Sequence, residues 1–168
     1  MSRSGNSTRR IAVAGIIAAL YALLAYFSSV FGVAFGPIQC RFSEALCVLP
    51  FLTPAAVPGL FLGCLVANLL SPYGALDIVF GSLATLLAAL WTSRMKRAAL
   101  APLPPVLCNA VIVGAVITVQ QVPMELFWGT FAYNAVTVGL GEALSCYVLG
   151  GLLLRTLSRS PTFRDLNL

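Results

Sequence analysis

Glu142 is the residue around which the chemistry of this 168-residue chain is best argued. It lies in the apolar stretch 126–154, 16 residues after its start, or about 24 Å along a helix rising 1.5 Å per residue. That is near mid-depth for a helix crossing a bilayer. An acid there faces a bundle interior or a watery cavity, as a ligand contact, a proton-linked carboxylate or a hydrogen-bonded structural acid. Asn134, Thr137, Gly141 and Ser145 repeat at helical spacing on the same stretch. Small and polar residues so spaced mediate helix packing in lipid, the reading we favour for Thr137, Gly141 and Ser145. Asn134 offers amide donors and an acceptor and is equally suited to ligand binding.

Asn109 and Gln120 are 11 residues apart, close to a whole number of turns, so both are expected on one helix face. Gln121 and Glu125 continue that chemistry into a loop. Asn68 and Asp77 flank a Ser-Pro-Tyr-Gly turn, where Asp77 either caps a helix or meets a ligand. Arg41 and Glu44 stand three apart; they either pair at i, i+3 or close an entrance over a ligand. Trp128, Tyr73 and Tyr133 suit an interfacial aromatic belt or stacking on a flat ligand. The candidate substrate-binding residues are therefore Arg41, Glu44, Asn68, Asp77, Asn109, Gln120, Glu125, Trp128, Asn134 and Glu142.

Composition removes whole classes of function. The chain has no histidine, which excludes Ser-His-Asp triads, His-metal sites and zincin motifs. It has no GxxxxGK[ST], so any ATP chemistry must come from another chain. There is no GxSxG, no paired metal-ligand cluster and no basic nucleic-acid patch. Neither an enzyme nor a metal or cofactor protein is expected. The five cysteines (Cys40, Cys47, Cys64, Cys108, Cys146) form no CxxC and lie mostly in apolar runs, which reads as small buried hydrophobes. A Cys40–Cys47 bridge is conceivable, and the odd count leaves at least one thiol free.

The elements that position these residues follow from hydropathy and charge. Hydrophobic residues make up 60% and charged residues 9% of the chain, against roughly 25% charge in soluble domains, so the bilayer is the default solvent. Apolar stretches run 11–35, 45–70, 75–93, 101–123 and 126–154. Pro50, Pro54 and Pro58 interrupt the second, and Thr53–Gly59 reads as a turn. Nine of the ten basic residues fall in three clusters: Arg3, Arg9, Arg10; Arg94, Lys96, Arg97; and Arg155, Arg159, Arg164. Lys and Arg concentrate in cytoplasmic loops. All three clusters share the cytosol if 45–70 splits into two short or tilted helices.

The expected fold is thus all-α, one transmembrane domain (1–168) of six helices at roughly 11–31, 43–56, 58–70, 76–93, 102–121 and 126–154. Cytoplasmic tails cover 1–10 and 155–168, and the loops 31–42, 71–75 and 121–125 lie outside. Asp165 falls in the C-terminal tail. A re-entrant hairpin at 45–70 is the alternative, tolerated only where protein or water covers its backbone. The N-terminus has signal-peptide features, but the run Ile11–Phe31 is longer than a signal core and is read as a span. Ala14, Ala18 and Ala22 recur every four residues on it, a small-residue face for a second membrane helix, in this chain or another.

Three blocks carry a family resemblance: Arg41-Phe-Ser-Glu-Ala-Leu-Cys-Val-Leu-Pro50, Pro54-Ala-Ala-Val-Pro-Gly-Leu-Phe-Leu-Gly-Cys-Leu-Val-Ala-Asn68 and Gly74-Ala-Leu-Asp-Ile-Val-Phe-Gly-Ser-Leu-Ala-Thr-Leu-Leu87. With them the chain resembles the QueT family of queuosine-precursor transporters, of the energy-coupling factor (ECF) class. The resemblance implies a six-helix substrate-binding (S) component in the cell membrane. It implies a transmembrane coupling subunit and two cytosolic ATPases as partners, with Ala14, Ala18 and Ala22 meeting the coupling subunit. The implied ligand is queuine or another 7-deazaguanine. Its donor edge suits a carboxylate, its carbonyl an Asn or Gln, its flat faces an aromatic ring; an aminomethyl substituent would be cationic and suit a second acid. An S component for a different vitamin or heterocycle, and a membrane scaffold without ligand, are the competing readings.

Overall fold

The computed structural model describes residues 3–34 and 38–160, and of residues 3–6 the backbone. Met1, Ser2, loop positions 35–37, and the tail from 161 with Arg164 and Asp165 lie outside the described residues. All described secondary structure is helical. In chain order it comprises α1 (Arg3–Val30), a 3-10 helix (Phe42–Phe51), α2 (Ala56–Asn68), α3 (Gly74–Thr92), α4 (Ala98–Gln121) and α5 (Met124–Arg159). By length and composition α1, α3, α4 and α5 can each cross a membrane, while the 3-10 helix and α2 are shorter apolar helices.

The proline-rich stretch explains its own break. Pro50 lies inside the 3-10 helix, whose residues Ser43–Pro50 are all buried. Pro58 occupies the first turn of α2, where a missing N–H costs nothing because that donor has no intrahelical partner. α1 ends at Gly32, with φ +71°. The Gly32 and Val33 amides donate back to the Ser29 and Ser28 carbonyls (3.0 and 3.1 Å), a Schellman closure that the left-handed glycine permits. The chain then returns toward α1, and the Phe42 amide donates to Ser28 Oγ (2.8 Å).

The burial pattern is that of a lipid-facing bundle. Ile16, Leu20, Leu23, Leu87, Val136 and Leu140 are exposed, whereas Glu44, Asn68, Asp77, Thr85, Thr118 and Glu142 are buried. Apolar surface outside and polar groups inside is what a bilayer demands. α1 and α2 pack backbone to backbone. A Cβ on Gly59 would lie 2.6 Å from the Ala14 carbonyl oxygen, and one on Gly63 2.8 Å from that of Ala18 and 2.7 Å from Tyr21 Cβ. Of the alanine face expected to meet a second membrane helix, in this chain or another, Ala14 and Ala18 are in contact with α2 of the same chain. The proline break folds Gly59 and Gly63 into register beside them. Ala22, one turn on, is half-buried.

Three helices carry a wide π turn: Asp77–Gly81 in α3, Asn109–Val113 in α4 and Leu144–Gly150 in α5. Such turns admit an extra residue. They explain one correction. Asn109 and Gln120, expected on a common face, are not together: Asn109 is buried, while Gln120 is exposed and donates to the Tyr73 carbonyl (3.0 Å). The π turn between them slips the phase by about one residue, or 100°.

Candidate functional site

The 3-10 helix, α4 and α5 converge on a buried polar centre. α1 contributes Tyr21, which is fully buried and donates its hydroxyl to Glu44 Oε1. The Cys47 thiol, one turn on from Glu44, donates to Oε2 (3.0 Å). From α5, the Cys146 thiol donates to the Glu44 backbone carbonyl (3.2 Å). Glu142, 4% exposed, accepts from Asn109 Nδ2 (2.8 Å) and from the Cys146 thiol one turn away (3.6 Å). The sequence therefore places the two acids on different elements, and neutral donors from those two elements and from α1 and α4 hold them.

Glu44 and Glu142 face a small cavity lined also by Gln39, Arg41, Asn109, Val113 and Val138. It has ≈ 10 Å³ of room for water centres, about what one water requires. The lining offers two carboxylates, two amides and one guanidinium, a mixture that matches a polar heterocycle with donors and acceptors on its edge. Small-molecule pockets occupy about 300–1,000 Å³, so this cavity is far smaller than a ligand of that size needs.

Arg41 roofs the cavity and is anchored away from it. It forms an ion pair with Asp77 Oδ2 (3.5 Å) and donates from Nη1 to Asn68 Oδ1 (3.4 Å). This clasp reaches residues far along the chain because the start of the 3-10 helix packs beside α2 and α3. Asp77 does not cap its helix. It is fully buried one turn inside α3 and accepts from Ser71 Oγ (2.6 Å). Gly81 makes room for it: a Cβ there would lie 2.5 Å from Asp77 Oδ1 and 2.8 Å from Asn68 Nδ2. Asn68 in turn donates to the Asp77 carbonyl (3.0 Å) and to Cys64 (3.4 Å), tying α2 to α3.

Of the ten residues singled out from the sequence, Arg41, Glu44, Asn109 and Glu142 line the cavity, and Asn68 and Asp77 brace its roof. The other four do not line it. Asn134 is buried, but its amide nitrogen donates to Thr118 Oγ1 and Gln121 Oε1 (both 2.9 Å), clamping α5 to α4. Glu125 is exposed. Trp128 is 77% exposed and packs edge-on against Phe127 and Phe131. Gln120 bonds the turn at Tyr73. The packing reading suits Gly141, since a Cβ there would overlap the Gln39 backbone, and Ser145, which is buried against Cys40 (3.4 Å).

Sequence reasoning missed Gln39, Tyr21, Cys47 and Cys146. Gln39 had a visible signal: it is the polar neighbour of the Arg41 segment, in the loop 31–42 expected on the outer side. The thiols had none, because donor function depends on an acid brought near by the fold. All five cysteines are free, Cys40 and Cys47 included. Among the described residues no group of His, Cys, Asp or Glu could hold a metal ion. A second, apolar groove of ≈ 470 Å³ lies between α1 and the proline turn, lined by Arg10, Ile11, Ala14, Gly15, Pro54, Ala55, Pro58 and Leu62.

Comparison with known proteins narrows the reading. The family model described as "QueT transporter" matches residues 11–159. The queuosine precursor transporter QueT of Lactococcus lactis subsp. cremoris (strain MG1363) is 33% identical over 81 residues, 48% of this chain and 47% of that protein. The chain thus spans about half the length of the curated relative it matches. No solved structure matches.

Proposed function

The chain belongs to the QueT transporter family, and from that premise we propose that this multi-pass membrane protein is the substrate-binding component of an ATP-driven uptake system of the ECF class. Its substrate is a queuosine precursor, a 7-deazaguanine or queuine, taken from the outer side. The carrying observation is the enclosed polar cavity. It combines Glu44, Glu142, Asn109, Gln39 and Arg41 inside a shell whose outer surface is leucine, valine and isoleucine. Buried polar groups at membrane depth are expensive and mark substrate pathways. Glu142, fixed by Asn109, accepts the donor edge of the ring, and Asn109 or Gln39 serves the ring carbonyl.

In this reading the polypeptide crosses the membrane six times, with the 3-10 helix and α2 as two short crossings and the basic clusters in the cytosol. Because the cavity is closed, ligand entry requires the Arg41 roof to part from Asp77 and Asn68. A coupling subunit docks on the groove beside Ala14 and Gly15, where the lining is apolar, and brings two cytosolic ATPases.

The test is ligand binding to the purified full-length protein, followed by thermal stabilisation and by the identity of any co-purifying small molecule. Binding of a 7-deazaguanine at micromolar or lower concentration supports the reading, and loss of affinity in Glu142→Gln supports the placement. Tight binding of a vitamin with none of any deazaguanine overturns the substrate and leaves an S component for another ligand. No binding of either, with Glu142→Gln changing stability alone, is the outcome of a scaffold.

A further inference from the structure

We propose that Glu44, oriented by Tyr21, is the specificity residue that selects a ligand carrying a positive charge over its neutral counterpart. The inference rests on the binding role proposed above and assigns the second acid of that site.

The first argument is a count of charge. The buried centre holds three carboxylates, Glu44, Asp77 and Glu142, and one guanidinium, that of Arg41, which lies against Asp77. The charged side chains about the two cavity acids are the acids themselves and Arg41, which is also paired with Asp77, and the groups that hydrogen-bond to the acids are neutral: Tyr21 from α1, Cys47 from the 3-10 helix, Asn109 from α4 and Cys146 from α5. Carboxylates withdrawn from water with only neutral donors are poorly compensated. An ammonium group on the ligand supplies the missing countercharge.

The second argument is geometric. Glu142 is engaged through Oε1 by Asn109 and suits the ring edge. Glu44 is held through both oxygens, by the Tyr21 hydroxyl and the Cys47 thiol. Each bond uses one lone-pair site and leaves acceptor capacity on both oxygens. Tyr21 is itself locked, since Gly63 leaves only enough room for its Cβ. A carboxylate so fixed is preorganised for a charge-assisted bond and loses little freedom on binding. Tyr21 acts through Glu44 and is a positioning residue.

The experiment compares two ligands on the same ring, a 7-deazaguanine with an aminomethyl group and one with a nitrile, by titration of the full-length protein. The aminomethyl compound is expected to bind at least about tenfold tighter, the range for a bond to a charged group. Glu44→Gln should erase that ratio, lowering the affinity for the aminomethyl compound about tenfold relative to the nitrile compound. Tyr21→Phe, which preserves shape, should shrink the ratio about threefold or more. A purely structural role for Tyr21 moves both affinities together and leaves the ratio intact. If Glu44→Gln does not fold, Tyr21→Phe decides. Equal or tighter binding of the nitrile compound by the unsubstituted protein, or an unchanged ratio in the variants, overturns the inference and leaves the transport reading standing. Binding of neither compound overturns the transport reading itself.

Discussion

Replacing Gly63 by alanine is expected to pry α1 from α2. The added Cβ would sit 2.7 Å from Tyr21 Cβ, 2.8 Å from the Ala18 carbonyl oxygen and 3.0 Å from Ala18 Cα. Ordinary carbon contacts fall near 3.5–4.0 Å, so the overlap is roughly 1 Å, and two of the three neighbours are backbone that cannot rotate away. Overpacking costs about 1–3 kcal/mol, here toward the upper end. Alanine recovers about 0.5–1 kcal/mol of helix propensity over glycine. The net loss is about 1–2 kcal/mol, or a fall in Tm of about 2–8 °C for a chain of this size. Gly15→Ala is the internal control: it makes the same change on α1, where nothing lies within 4 Å of the added Cβ, and should leave Tm level or slightly higher. Thermal unfolding monitored by size-exclusion chromatography in one detergent reads both variants. A Gly63→Ala protein melting at or above the parent, or a Gly15→Ala protein falling as far, refutes the packing argument.

Arg41→Leu leaves Asp77 buried without its cation and should cost about 3–5 kcal/mol; adding Asp77→Leu should recover much of that loss, a coupling read by a double-mutant cycle of thermal stabilities. Asn134→Ala removes the clamp to Thr118 and Gln121, so we expect a loss of about 1–2 kcal/mol with ligand affinity unchanged by isothermal titration; a weakened ligand would instead return Asn134 to the site. Cysteines introduced at Gly5 and Met95 in a cysteine-free background should both be shielded from an impermeant thiol reagent added to intact cells. Labelling of just one of the two would remove the even number of crossings between them.

How much of this was legible beforehand depended on which property set each feature. The helical membrane class was readable because composition and long apolar runs act without tertiary context. The position of Glu142 was readable for the same reason: an acid deep in an apolar run has nowhere to go but inward. The partners of the charged residues were not. Local spacing pointed only to Glu44 as a neighbour of Arg41, whereas packing of the 3-10 helix beside α2 and α3 brings Asp77, 36 positions away in sequence, to it. Asn134 appeared as chemically apt for a ligand as Asn109. What separates them is that one faces Thr118 across a helix contact and the other faces Glu142. The shared face assumed for Asn109 and Gln120 failed because regular helical phase was carried through a turn that does not keep it.

That turn has a wider consequence. Each of α3, α4 and α5 holds one residue more than its framework needs, at Asp77–Gly81, Asn109–Val113 and Leu144–Gly150. Two of these surplus positions include or adjoin a cavity side chain. A single deletion within Ala110–Val113 would relax the turn to ordinary α geometry. It would leave the buried prolines of one flank and the tight Gly114–Ala135 approach of the other where they are. Such a protein should still fold and insert while the side chains lining the cavity are re-aimed, so that lining can vary by insertion and loss independently of the scaffold that carries it.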